Sequence, residues 1–194
     1  MVKEISEIKL EIDGKEITGE EGQSVLEAAS ENGIKIPTHC YHEKYEPTGS
    51  CRLCLVEVRV QGGRPELKAA CTYPVQENLV VKTKTKEILK TRRLTAELML
   101  ARCPESQAVR EIAEEFGVKK PRFSLKNLNC TLCGLCVKAC ETAKGESAIT
   151  FAGRGTNRKI IAPFELSPKE CEGCGACAAV CPTSAIKMVN IEEE

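Results

Sequence analysis

The cysteines constrain this chain more than any other feature: there are thirteen in 194 residues, grouped four, one, four and four. Cys40, Cys51, Cys54 and Cys71 come first, Cys103 stands alone, and Cys130, Cys133, Cys136 and Cys140 are followed by Cys171, Cys174, Cys177 and Cys181. The last two groups are copies. Cys130-Thr-Leu-Cys-Gly-Leu-Cys-Val-Lys-Ala-Cys140 matches Cys171-Glu-Gly-Cys-Gly-Ala-Cys-Ala-Ala-Val-Cys181 in every cysteine spacing and in the glycine after the second cysteine, an internal repeat. Aromatic residues make up only 4% and Trp is absent, so an ordinary core is thin and the thiols must organise something else.

An odd cysteine total fits a disulfide framework poorly, and thiols at fixed short spacings in a reducing compartment indicate metal or redox chemistry. The first residues, Met1-Val-Lys-Glu-Ile-Ser-Glu-Ile, carry acid where a signal peptide needs an apolar run, and no stretch reaches the ~18 apolar residues of a membrane span. A cytoplasmic protein without a membrane span is expected. Its 28 basic and 28 acidic residues balance, which argues against a nucleic-acid partner.

Each repeat reads C-x2-C-x2-C-x3-C, and the second continues into Pro182. That is the run of bacterial two-cluster ferredoxins, in which the fourth cysteine serves the other cluster. Three thiolates two residues apart cap a cubane from a tight loop; the fourth begins a helix leading to the neighbouring cluster. Gly134, Gly173 and Gly175 let the backbone approach the sulfides. The crossing rule assigns one [4Fe–4S] cluster to Cys130, Cys133, Cys136 and Cys181, and the other to Cys140, Cys171, Cys174 and Cys177. Zinc is the rival metal, but two C-x-x-C pairs satisfy it, leaving a third evenly spaced cysteine superfluous. A catalytic cubane with an open iron would show three local cysteines rather than four. Glu141, not proline, follows Cys140; the missing proline is not a ligand.

The first four cysteines have gaps of ten, two and sixteen residues. The plant-type [2Fe–2S] pattern has a shorter first gap but the same logic, four thiolates shared by two irons. Gly49-Ser50 supplies a loop whose N–H groups can offset cluster charge. His39 and His42 flank Cys40; a Rieske centre would need two His replacing two Cys, so both are read as neighbours of the site. Zinc remains a rival here.

Secondary structure follows from pattern. Ile8 to Ile12 alternates and Asp13-Gly14 makes a tight hairpin turn. Ser24 to Glu27 is a capping box, opening a helix with Val25, Leu26, Ala28 and Ala29 that stops near Gly33. Val56, Val58 and Val60 predict a half-buried strand, and Val80-Val81 a closing one. Ile88, Leu94, Leu98 and Ala101 predict a helix stripe that Pro104 interrupts, followed by a helix from Ser106 to Phe116 with Val109, Ile112 and Ala113 inside. Residues 118–128 read as a solvated basic connector, and the final Ile-Glu-Glu-Glu as a solvated tail. The expected class is α+β: a β-grasp [2Fe–2S] domain over residues 1–84, a helical linker over 85–120 and a two-[4Fe–4S] ferredoxin-like domain over 121–194.

Cys40 to Cys71 with Cys51-Arg-Leu-Cys-Leu-Val-Glu-Val, then Cys133-Gly-Leu-Cys-Val-Lys-Ala-Cys and Gly153-Arg-Gly155, resembles the N-terminal iron–sulfur region of the large complex I subunit. It is similar also to the small diaphorase subunit of NAD-linked hydrogenases and to the accessory domains of [FeFe] hydrogenases. The resemblance implies a flavoprotein partner that handles NAD(P)H and a terminal redox subunit. Those relatives carry a further middle cluster held by one His and three Cys. Here Cys103-Pro104 stands where the His-Pro would be, and no cysteine follows before Cys130, so that cluster is expected to be missing and Cys103 to be a small buried residue.

No dinucleotide fingerprint follows a strand, no catalytic residue is expected, and no hydrogenase domain is expected after residue 194. The expected function is relay of single electrons between the flavoprotein and a second redox enzyme. The alternatives are a free-standing polyferredoxin carrier, which is usually acidic, and an iron–sulfur redox sensor, which usually carries an effector domain.

Overall fold

The computed structural model describes residues 7–162 and 171–189. The tail at Ile191 to Glu194 lies outside them. The chain forms two compact units, one of Met1–His39 with Pro47–Ala96, the other of Cys40–Glu46 with Glu97–Glu194.

The first unit is a five-stranded mixed sheet with a helix, ordered β2-β1-β5-β3-β4. Strands β1 (Glu7–Ile12) and β2 (Lys15–Glu20) form a hairpin whose turn residues, Asp13 and Gly14, both have positive φ, 51° and 82°. That turn twists with the strands, which is why Asp-Gly serves there. Strand β5 (Leu79–Lys82) lies parallel to β1 and antiparallel to β3 (Leu55–Arg59), which pairs with β4 (Glu66–Ala69). Leu10, Ile12, Leu79, Val81, Val56 and Val58 bury one apolar layer beside α1 (Val25–Glu31). The capping box forms: Glu27 N–H donates to the Ser24 hydroxyl, and Ser24 N–H to the Glu27 carboxylate. A parallel β1–β5 pair inside an otherwise antiparallel sheet, holding one helix, is the β-grasp arrangement.

Two readings of this stretch need correction. Val60 lies past the end of β3 and is 41% exposed. Leu94 and Leu98 lie on the outer face of α2 (Lys86–Arg102), each 44% exposed. The buried face of α2 runs through Ile88, Arg92, Ala96, Met99 and Leu100. Arg92 is tolerated inside because its Nη2 donates to the Leu55 carbonyl at 2.8 Å.

In the second unit α2 ends before Pro104, and α3 (Gln107–Glu115) buries Val109 and Ala113. The connector at 118–128 is anchored as well as solvated. The buried Glu97 carboxylate accepts the backbone N–H of Arg122 and its guanidinium, in a bidentate pair. Helix α4 (Leu135–Lys144) follows the first three cysteines' loop, a hairpin of β6 (Thr150–Ala152) and β7 (Lys159–Ile161) comes next, and α5 (Ala176–Ala179) sits in the second repeat, packed on α4. Both helices start just after the glycine that follows the second cysteine, one residue before the third. The fourth cysteine was expected to begin the helix. Instead Cys136 and Cys140 share α4, one turn apart, and Cys181 lies beyond α5. Left-handed Gly134 and Gly175 set each helix start early by turning the chain there.

Candidate iron–sulfur centres

In the first unit Cys51, Cys54 and Cys71 come together on loops flanking β3 and β4. The Cys54 and Cys71 sulfurs are 3.5 Å apart. Cys71 lowers the Cys54 thiol to about 7, against the upward push of burial, by hydrogen bonds from its side chain and backbone. The Cys71 loop is clipped to the start of α1, with Val25 N–H donating to the Tyr73 carbonyl at 2.8 Å and Leu26 N–H to the Ala70 carbonyl at 3.0 Å. Arg52, between the close cysteines, takes the left-handed conformation at φ 58°, and so turns backbone amides toward the sulfurs. His39 is buried, and burial lowers its imidazole to about 4, so it stays neutral at pH 7. Cys40 is also buried and belongs to the Cys40–Glu46 segment of the second unit.

In the second unit one cavity of about 280 Å³ is lined by Cys130, Cys133, Cys136 and Cys181. Three of these share the first repeat, and Cys181 arrives from the second. Two reciprocal hydrogen bonds bring it there: the Thr183 hydroxyl donates to the Asn129 carbonyl at 2.7 Å, and Asn129 Nδ2 donates to the Thr183 carbonyl at 3.2 Å. Backbone amides aim at the sulfurs, Leu132 N–H at Cys130 (3.4 Å) and Ala185 N–H at Cys181 (3.2 Å). Cys103, fully buried, lies close enough to feel Cys130, Cys181 and Cys133, though burial is the larger cause raising its thiol to about 11.

Cys140 receives the Ala148 N–H at 3.3 Å, and Cys177 lies within electrostatic reach of Cys140 and Cys171. Burial is the main cause raising Cys177. Cys171 and Cys174 are exposed. Lys144 on α4 forms an ion pair with Glu172, tying the second loop to the first helix.

These arrangements fit iron–sulfur groups on chemical grounds. Burial pushes the Cys136 thiol up to about 12 and raises Cys133, while amide donors outweigh burial at Cys181 and lower it. Four such sulfurs crowd into one cavity only as neutral thiols, or as thiolates around a cationic metal core that reverses their mutual repulsion. A buried donor, Arg102 Nη2, has no hydrogen-bond partner among the described residues, and Arg102 lines the same cavity. Among those residues no three His, Cys, Asp or Glu side chains stand close enough to hold a single metal ion.

Sequence reasoning missed Arg102, Asn129 and Thr183. Asn129 and Thr183 are far apart in the chain and belong to no motif. The only local signal is their place one residue before Cys130 and two after Cys181.

Comparison with known proteins agrees with the two cysteine patterns. The 2Fe-2S iron-sulfur cluster binding domain family matches residues 6–86, and the 4Fe-4S dicluster domain family matches residues 129–185. The chain is 30% identical to the NADP-reducing hydrogenase subunit HndD of Solidesulfovibrio fructosivorans, over 94% of this chain and 36% of that protein. It is 33% identical to the NADPH-Fe(3+) oxidoreductase subunit alpha of Geobacter sulfurreducens, over 92% of this chain and 24% of that protein. It therefore spans about a quarter to a third of these relatives' length. A crystal structure of NAD+-reducing [NiFe]-hydrogenase in the H2-reduced state superposes with a TM-score of 0.76 at 28% identity, covering 90% of this chain and 84% of that one. Among the described residues no helix is long and apolar enough to cross a membrane. A 2Fe-2S domain joined to a 4Fe-4S dicluster domain makes this chain a homologue of the iron–sulfur subunits of complex I, of the large-subunit type, and of NAD(P)-linked hydrogenases.

Proposed function

We propose that this chain relays single electrons between an NAD(P)H-linked flavoprotein subunit and a second redox subunit, through one [2Fe–2S] and two [4Fe–4S] clusters. The observation that carries the reading is the gathering of Cys130, Cys133, Cys136 and Cys181 on one cavity, with amide donors directed at their sulfurs. Such sites hold each iron by protein thiolates, leaving no open position for substrate, so what they can do is gain and lose charge. The relatives' names, an NADP-reducing hydrogenase and an NADPH-linked oxidoreductase, support a nicotinamide-handling partner.

The proposed ligands are Cys40, Cys51, Cys54 and Cys71 for the [2Fe–2S] cluster, Cys130, Cys133, Cys136 and Cys181 for one cubane, and Cys140, Cys171, Cys174 and Cys177 for the other. Cys40 enters on sequence spacing and on its place inside the matched 2Fe-2S region. The domains proposed are residues 1–84, 85–120 and 121–194. Free thiols in this number favour a reducing compartment, the cytoplasm.

Anaerobic preparation with iron and acid-labile sulfide assay tests the reading. About ten irons per chain are expected, with EPR of one [2Fe–2S] and two interacting [4Fe–4S] centres after reduction. A colourless, folded protein carrying zinc overturns it. Co-purification of a flavin-containing subunit separates a relay subunit from a free carrier.

A further inference from the structure

Arg102, the last residue of α2, lines the cavity of Cys130, Cys133, Cys136 and Cys181. Its Nε donates to the Cys130 carbonyl at 2.8 Å. The guanidinium is planar with a fixed fork of donors, so this bond also fixes the rest of the group against the cavity. Nη2 is buried there and has no hydrogen-bond partner among the described residues. An unmatched donor on a buried cation is costly, and a purely structural clamp on the Cys130 loop needs only Nε. The second repeat has no counterpart at its exposed Cys171 and Cys174.

We propose that Arg102 donates an Nη2 hydrogen bond to a sulfur of the [4Fe–4S] cluster held by Cys130, Cys133, Cys136 and Cys181, and thereby raises that cluster's reduction potential. The assignment rests on the iron–sulfur reading of this cavity. Its physics is charge matching. Reduction adds one negative charge, spread over the sulfurs, and a fixed cationic donor stabilises the reduced form more than the oxidised form. Arg102 is a positioning and tuning residue, not a ligand.

The test uses the whole anaerobically loaded protein, titrated against redox mediators and read by EPR. In Arg102→Met one cubane is expected to titrate lower, its reduced-to-oxidised ratio at fixed potential falling about tenfold, or about 59 mV for one electron. The other two centres should keep their midpoints. Arg102→Lys, which keeps the charge, should recover part of the shift. Pulsed EPR of the reduced wild type should show an exchangeable proton coupled to that cluster and lost in Arg102→Met. Unchanged midpoints with full iron content in Arg102→Met overturn the proposal and leave the relay reading standing. Loss of that cluster's iron in both variants makes Arg102 a structural support and also overturns it. A wild-type protein without cubane iron overturns both readings at once.

Discussion

Cys130 to Cys140 and Cys171 to Cys181 share one spacing and differ in everything laid around it. The first run leads into the ten-residue helix α4, which buries Leu135, Cys136, Ala139 and Cys140. The second leads into the four-residue α5, which buries nothing, and it leaves Cys171 and Cys174 exposed. Both runs turn at a left-handed glycine after their second cysteine, Gly134 at φ 86° and Gly175 at φ 72°. Loop shape is therefore written inside the repeat. Burial is contributed from outside it, by Arg102, Leu128 and the β6–β7 hairpin, which wall the first cavity. Duplication copied the ligand loop without copying its surroundings, so two like sites acquired different access to solvent.

The largest expected consequence is in how easily iron leaves. Incubated anaerobically with a ferrous chelator, the protein should release the cluster of Cys140, Cys171, Cys174 and Cys177 at least about tenfold faster than its twin, since thiolate susceptibility follows exposure. Iron release should be biphasic, and EPR should identify the surviving cubane by its loss in Cys133→Ser. A single phase would break the comparison, showing that exposed sulfurs do not govern access.

A smaller effect separates the loops themselves. Gly134 has φ 86°, and a Cβ there would meet the Phe151 ring at 3.2 Å. Gly173 has φ 69° and open space around it. Alanine at Gly173 should cost about 1 kcal/mol for the left-handed conformation alone. Alanine at Gly134 should cost about 1 kcal/mol more, as the ring must give way against well-packed neighbours. At this chain length the difference amounts to about 2–4 °C in apparent Tm, compared anaerobically at one scan rate. Equal losses would mean that Phe151 yields freely.

The features that proved legible in the sequence are those whose cause is local. Asp13-Gly14 specifies its own turn, Ser24 and Glu27 cap their own helix, and a cysteine spacing encodes its own loop. The face of α2 was misread because Arg92 and Glu97 are buried by partners far away in the chain, the Leu55 carbonyl and Arg122. Hydrophobic periodicity assigns such residues to solvent and promotes Leu94 and Leu98 in their place. The candidate sites divide the same way. The sulfur ligands follow from spacing, while the clip between Asn129 and Thr183 that carries Cys181 to its cavity, and the cation at Arg102, depend on tertiary approach.

The finest distinction concerns the two arginines beside the first cavity. Arg158 also lines it, but its side chain is exposed and lies over Phe151, with 3.9 Å from the guanidinium carbon to the ring centroid. Arg158→Met removes that cation–π contact, worth about 0.5–1 kcal/mol at an exposed position, so unfolding should shift slightly. It also removes a positive charge near the same cluster, but one in contact with solvent, whose influence salt screens within about 8 Å at physiological ionic strength. The midpoint should therefore fall only about twofold in reduced-to-oxidised ratio, and the fall should vanish in 1 M salt, where the screening length is about 3 Å. The Arg102→Met shift should survive that salt, because a buried hydrogen bond is not exchanged for counterions. Parallel titrations of both variants at low and high salt measure the difference, and equal salt sensitivity would show that charge near the cavity, rather than a directed N–H, sets the potential there.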